Sequence, residues 1–111
     1  MIEIREFLGE DGRNLFGDWF ERLNSEAARR VTTALYRLGS GNFSNVKGVG
    51  GGVFECRIDF GPGYRVYFGK DGDRIILLLY GGTKQRQQDD IILAGKYWQQ
   101  YKRQQWSDPW L

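Results

Sequence analysis

Several kinds of residue are scarce in this 111-residue sequence, which contains no histidine, one cysteine and two prolines. The absence of histidine removes the commonest general base and the commonest metal ligand. A zinc or haem site is therefore not expected, and the sequence indicates neither a metal nor any other cofactor. A single cysteine cannot form an intramolecular disulfide, and Cys56 alternates with apolar residues, which favours a small buried side chain.

Long apolar runs are also absent, since no stretch approaches the roughly 18 to 20 residues of a membrane span. The first residues, MIEIREFLGEDG, are too acidic and too short in apolar length for a signal peptide. We therefore expect a cytoplasmic protein with no membrane partner. With 41% hydrophobic and 15% aromatic residues, the chain can build a core, and its length predicts one domain over residues 1–111.

The charge is small but unevenly distributed. The net charge is +2; residues 1–41 carry six basic and seven acidic side chains, whereas residues 42–111 carry ten and seven. The basic excess lies in the second part of the chain and is a mild indication of an anionic partner. The arginines of the second predicted helix (Arg29, Arg30 and Arg37) are interpreted as a solvated outer face.

The strongest strand pattern lies in residues 53–84. Apolar and polar residues alternate over 53–60 and again over 64–68, with a Gly-Pro-Gly turn between them. The run RIILLLY at 74–80 is almost wholly apolar, which is typical of a central strand, and Gly81-Gly82-Thr83 is predicted to end it. This spacing puts Arg57, Arg65 and Tyr67 on one polar face and brings Lys84 to the end of the sheet, an arrangement suited to a phosphate.

The flanking segments predict helices. A first strand is expected over residues 2–7, a helix capped by Asp11 from near Gly12, and a second helix from Asn24-Ser25 to about residue 38. Residues 42–52 are predicted to be a loop with a short extended piece at 43–47, and a terminal helix is expected over 85–104, capped by Thr83. The predicted order is β-α-α-β-β-β-α, an α+β fold. No role is assigned to Trp106 or Trp110.

Three sequence blocks point to a known family. FECRIDFGPGYRVYF, RIILLLYGGTK and the QxxDIxxA of residues 87–94 occur in this order. Together they resemble the addiction-module killer proteins of the RelE/ParE superfamily of type II toxins, and the chain is similar to the HigB type over about residues 2–98. The resemblance implies a compact mixed or antiparallel sheet with an N-terminal αα-hairpin and a C-terminal helix. It also implies a cognate antitoxin as partner, often a helix-turn-helix DNA-binding protein.

The resemblance leaves the target open. RelE-like members cut messenger RNA on the ribosome, ParE-like relatives inhibit DNA gyrase and cut no RNA, and a third reading is an inactive member that only binds its antitoxin. We expect the first: a metal-independent, ribosome-dependent endoribonuclease with mRNA and the ribosome as partners. This chain lacks the acidic-aromatic-histidine end of some HigB proteins, so their acid–base assignment does not transfer.

The resemblance also implies site residues. Arg65 is assigned to phosphate or transition-state stabilisation and Arg57 to positioning RNA, whereas Lys84 or Tyr67 is the candidate acid or base, and Lys47 and Arg86 are secondary RNA contacts. Metal-free cleavage needs a base for the 2′-hydroxyl, a cation at the phosphate and an acid at the leaving oxygen. The alternatives are a cross-strand ion pair for Arg57 with its acidic neighbours and a solvated loop lysine for Lys47. Arg65→Ala is expected to leave the fold intact.

Overall fold

The computed structural model describes the backbone of residues 1–107 and the side chains of residues 1–105. Trp110 lies outside the described residues, as does the side chain of Trp106. Within this range the chain forms a five-stranded mixed sheet and three α-helices, which confirms the α+β class. The elements are β1 (Glu3–Glu6), α1 (Leu15–Glu21), α2 (Ser25–Gly39), β2 (Val46–Gly50), β3 (Val53–Ile58), β4 (Tyr64–Asp71), β5 (Ile75–Thr83), a 3₁₀ turn (Lys84–Arg86) and α3 (Gln87–Ser107).

The sheet has the strand order β1-β5-β4-β3-β2. Strands β2 to β5 form an antiparallel meander, and β1 lies parallel to β5, with Glu3 opposite Ile75. The turn between β4 and β5 leaves three residues, 72–74, between the paired Asp71 and Ile75, and Gly72 takes a positive φ of 61° that glycine adopts without strain.

Two strand predictions were wrong. Residues 42–52 contain the strand β2, so the order is β-α-α-β-β-β-β-α. The sequence does not show this strand because four glycines, at 48 and 50–52, interrupt the alternation of apolar and polar side chains, and the register shifts between Gly48 and Gly50. Strand β5 also continues through Gly81 and Gly82, which pair with Val66 and Arg65. Glycine is used there because a neighbouring side chain lies directly on the backbone.

The helix ends also differ from prediction. Helix α1 begins at Leu15, where Asn14 Oδ1 accepts from Gly17 N at 2.8 Å, whereas Asp11 instead accepts from Arg13 N in the preceding turn. The cap at Asn24 is confirmed, since its Oδ1 accepts from Ala27 N at 2.9 Å. Thr83 makes no side-chain capping bond, and α3 starts later than predicted, after the 3₁₀ turn.

The helices cover both faces of the sheet. Helices α1 and α2 pack on one face around Trp19, Val31 and Leu38, and α3 packs on the other through Ala94, Tyr97 and Trp98. Each face carries a tryptophan ring seated on a strand glycine: a β-carbon on Gly81 would overlap Trp19, and one on Gly69 would overlap Trp98. These contacts fix how closely each helix layer approaches the sheet, because packed interiors leave no space for an added methyl group.

Candidate nucleic-acid interface

A basic depression lies at the end of the sheet where the β3–β4 turn meets the 3₁₀ turn. It has a volume of about 480 Å³ and is called the hairpin basin here; its lining residues are Arg57, Asp59, Phe60, Gly61, Pro62, Gly63, Arg65 and Lys84. Arg57 and Arg65 are register partners on β3 and β4. The hairpin basin thus collects the three cations that the sequence predicted to lie together: Arg57, Arg65 and Lys84.

The turn before β4 brings Lys84 into this basin. Lys84 N donates a hydrogen bond to Gly63 O at 2.7 Å, which fixes the end of β5 against the β3–β4 turn. Gly63 has a φ of 81°, and a β-carbon there would lie 3.4 Å from Lys84 Cβ and 3.5 Å from Arg65 Nη1. These are ordinary contact distances, so glycine is favoured at this position by the positive φ of the turn.

Arg65 forms the floor of the hairpin basin and is held from behind. The residue is 5% exposed, its Nη1 donates to Tyr64 O at 3.1 Å, and its Nε lies 3.5 Å from Oε1 of the fully buried Glu55. The other Glu55 oxygen accepts from Gln87 Nε2 at 2.6 Å. The first turn of α3 is thereby connected through Glu55 to the arginine, which limits the freedom of its guanidinium group.

Arg57 and Lys84 are exposed and have no ion-pair partner among the side chains of residues 1–105. The ion pairing of Arg57 with its sequence neighbours Glu55 or Asp59, considered as an alternative, is not formed within 4 Å. An unpaired arginine or lysine beside a buried, oriented arginine is suited to an anionic ligand, because binding breaks no existing ion pair.

Tyr67 does not belong to this surface, so its prediction as an acid or base is corrected. It is 0% exposed because α3 covers that face of β4, and its hydroxyl lies in the interior without a hydrogen-bond partner among the described residues. Burial raises the pKa of Tyr67, and the negative charges of Glu55 and Asp90 raise it further. A phenol in this position neither reaches a bound substrate nor accepts its proton.

Lys47 and Arg86 are exposed but do not line the hairpin basin. Lys47 lies on the edge strand β2, opposite Glu55 in register. Arg86 lies in the 3₁₀ turn with its guanidinium 4.0 Å from Asp89 and Asp90. The structure therefore separates the two predicted secondary contacts from the three central cations.

A second depression was missed by the sequence-based interpretation. This helix basin, also about 480 Å³, lies between α2 and the end of β3; its lining residues are Arg29, Arg30, Thr33, Ala34, Arg37, Asn45, Arg57, Ile58, Asp59 and Phe60. Arg30 lies over the Phe60 ring, with its guanidinium carbon 4.7 Å from the ring centroid. The three α2 arginines had been interpreted as a solvated face, because nothing local in the sequence shows that α2 lies beside the β3 end.

The two basins concentrate positive charge. Six of the 16 Lys/Arg residues line them, but only one of the 14 Asp/Glu residues, Asp59, does so. Glu55 and Glu26 pair with three of these arginines from just outside the basins, which leaves an excess of three positive charges in this region, more than the overall charge of +2. Such local excess attracts polyanions more than the net charge suggests.

The described part of the chain supplies few other kinds of site. No group of three His, Cys, Asp or Glu in residues 1–107 is placed to hold a metal ion. Over the same range, every helix is too short or too polar to cross a membrane. The charged and aromatic side chains that line the two basins are six cations, one carboxylate and one phenylalanine ring.

Comparison with known proteins gives one informative relative. No family model matches the chain. A Haemophilus influenzae protein with the name "Uncharacterized protein" is 42% identical over 80 residues, and the aligned part covers 71% of this chain and 81% of that protein. Identity at this level over most of both chains indicates a common fold.

Proposed function

We propose that this chain, which belongs to the same family as the uncharacterized Haemophilus influenzae protein, is a type II toxin of the RelE/ParE superfamily. It acts as a metal-independent, ribosome-dependent mRNA endoribonuclease in the cytoplasm. The observation that carries the proposal is the meeting of Arg57, Arg65 and Lys84 in the hairpin basin. The α+β sheet flanked by helices supports it, since this is the architecture that the family resemblance implies.

The hairpin basin offers a complete set of groups for cleavage. Asp59, the carboxylate at its wall, accepts the proton of the ribose 2′-hydroxyl, and the 2′-oxygen attacks the phosphorus. Arg65 stabilises the charge that develops on the phosphate oxygens through the part of its guanidinium group that is not engaged by Tyr64 O or turned toward Glu55. The bond from phosphorus to the 5′-oxygen breaks, Lys84 supplies the proton to that oxygen, and the products are a 2′,3′-cyclic phosphate and a 5′-hydroxyl.

The partners follow from the same surface. The proposed substrate is mRNA in the ribosome, positioned by Arg57, and the proposed inhibitor is a cognate antitoxin. An antitoxin that covers the basic face would block binding of RNA by direct competition. Formation of a toxin–antitoxin complex that leaves RNA cleavage unchanged would contradict this arrangement.

The test is to map transcript 5′ ends shortly after induction of the wild-type chain and of Lys84→Ala. Lys84 is exposed, so its removal spares the core. Arg65→Ala, by contrast, leaves Glu55 as an unpaired buried charge, and we expect this to destabilise the fold. Arg65→Lys, which keeps the charge and loses the fork, is the better companion. Arg74→Ala is the matched control, since Arg74 is exposed and lies at the opposite end of β5, about 30 Å away.

We expect new in-frame 5′ ends within translated regions for the wild type and Arg74→Ala, few for Arg65→Lys and none for Lys84→Ala. Growth arrest with DNA damage and intact transcripts would overturn the nuclease assignment in favour of gyrase inhibition. Absence of growth arrest at any expression level would overturn the toxin assignment itself and leave an antitoxin-binding protein.

A further inference from the structure

The hairpin basin and the helix basin are neighbouring depressions that share Arg57, Asp59 and Phe60 in their linings. Together they extend from Lys84, beyond the end of β5, to Arg37 on α2. A ligand long enough to occupy both would cross at the three shared residues, whereas the cleavage chemistry uses the hairpin basin alone.

The helix basin has cations that are available to a ligand. Arg37 has no ion-pair partner among the described residues. Arg29 and Arg30 share Glu26, with nitrogen–oxygen distances of 2.6 and 3.2 Å, on a surface where all three side chains are at least 42% exposed. Exposed pairs of this kind are weak because water screens them, so a phosphate can replace Glu26 as the partner at small cost.

The aromatic ring between the basins distinguishes the class of ligand. Phe60 lines both depressions and carries Arg30 on its ring. Grooves that bind single-stranded nucleic acid combine cations for the backbone with aromatic or arginine planes for the bases. An acidic peptide would satisfy the arginines but would have no use for a stacking surface, so the observations favour a polynucleotide.

We propose that the helix basin binds a backbone phosphate of the same RNA strand outside the cleaved linkage, through Arg37 and Arg29, with the strand crossing at Phe60. This inference rests on the proposed function, because it takes the occupant of the hairpin basin to be RNA. It assigns α2 to extending the contact with substrate, in addition to covering the sheet.

The experiment measures binding of uncleavable RNA to the purified protein. The probes are a 2′-O-methyl dinucleotide, which fills the hairpin basin only, and a 2′-O-methyl strand of about ten nucleotides, a length typical of such sites. Fluorescence anisotropy gives the affinity of each over a series of salt concentrations. Loss of one phosphate contact lowers the slope of log K against log salt by about 0.7 for a single strand.

We expect Arg37→Ala to weaken the long strand about tenfold at low salt, to lower its salt slope by about 0.7, and to leave the dinucleotide unchanged. Lys84→Ala should weaken both probes, and Arg74→Ala neither. An unchanged salt slope for Arg37→Ala, equal weakening of both probes, or the same loss for Arg74→Ala would overturn the proposal. So would a polyglutamate peptide that competes as well as RNA of equal charge.

The outcome separates this inference from the proposed function. Because the probes are not cleaved, Arg37-dependent binding can be found even if cells show no new 5′ ends, in which case the strand path stands and the nuclease assignment fails. New 5′ ends in cells, together with RNA affinity that Arg37→Ala does not change, would support the opposite conclusion. The protein would then be a nuclease whose substrate does not enter the helix basin.

Discussion

Replacing Glu55 by glutamine tests whether Arg65 is held by a desolvated ion pair. Glu55 is 0% exposed and Arg65 is 5% exposed, so neither charge is solvated well. Glutamine keeps the volume and can still accept from Gln87, but its amide presents hydrogens toward Arg65 Nε, where Oε1 now lies at 3.5 Å. The substitution therefore removes the countercharge of a buried cation without opening a cavity.

The magnitude follows from the cost of leaving one charge of a buried pair alone, about 3 to 5 kcal/mol. The separation of 3.5 Å is long for a hydrogen bond, and Arg65 lines the open hairpin basin, so we expect the lower end, about 3 kcal/mol. For a domain of this size 1 kcal/mol shifts Tm by about 4 to 8 °C, which predicts a fall of about 12 to 24 °C.

Urea denaturation of Glu55→Gln, Arg65→Gln and the double variant gives the coupling energy directly. We expect the double variant to lose clearly less than the sum of the single variants, because it buries no lone charge. Glu26→Gln is the matched control: it breaks an exposed pair, and we expect a much smaller loss of stability than for Glu55→Gln, one that shrinks with added salt. A loss below about 1 kcal/mol for Glu55→Gln, or no coupling, would refute the reasoning.

Three further predictions concern packing and titration. Gly81→Ala should lower the free energy of unfolding by about 1 to 3 kcal/mol because its methyl group meets the Trp19 ring. Gly95→Ala, which has open space around the added methyl group, should raise it by up to about 1 kcal/mol. The midpoints of urea unfolding compare the two variants. Burial raises the pKa of Asp90 above its ordinary 3.8, so the folded state binds this proton more tightly than the unfolded chain. The stability that this group contributes therefore declines as the pH rises above 3.8. Asp90→Asn should flatten that decline in urea unfolding curves measured over a series of pH values. Burial and the charge of Glu55 raise the pKa of Cys56 to about 11, so a thiol reagent at pH 8 should react only after unfolding, and rapid labelling of the native protein would contradict the buried position.

The parts of the fold that the sequence predicted are those with strong local patterns. The alternation in β3 and β4 and the Asn24 cap needed no tertiary information, since strand parity and helix capping act over a few residues. The glycine-rich strand β2 has no such pattern, and its pairing with β3 supplies the order that its own residues do not. Gly81 and Gly82 indicated a strand end, but they lie within β5, and their small size leaves space for the side chains of Trp19 and Asp90 against the strand.

The candidate site was predictable for the same reason, and only in part. The alternation of side chains along β3 and β4 predicted that Arg57 and Arg65 lie side by side. The glycines before Lys84 predicted that this lysine lies at the same end of the sheet. The sequence did not show that α3 covers the face carrying Tyr67, because Glu55 and Arg65 on that face suggested exposure to solvent. A buried ion pair has the same sequence pattern as a solvated one.

The outer strand β1 has a consequence for the order of folding. Glu3 pairs with Ile75, 72 positions later in the chain, whereas the β2–β5 meander joins neighbouring segments. Closing the larger loop costs more chain entropy and gains its contacts only at the end, so we expect β1 to dock after the meander forms. The reporter is the amide of Phe7, directly after β1, which donates to Leu78 O at 3.0 Å; protection of this amide no later than that of Val66 during refolding would contradict this order. Until β1 docks, β5 presents an open edge that another chain can pair with. The strand that is synthesised first is thus the one that closes the sheet last.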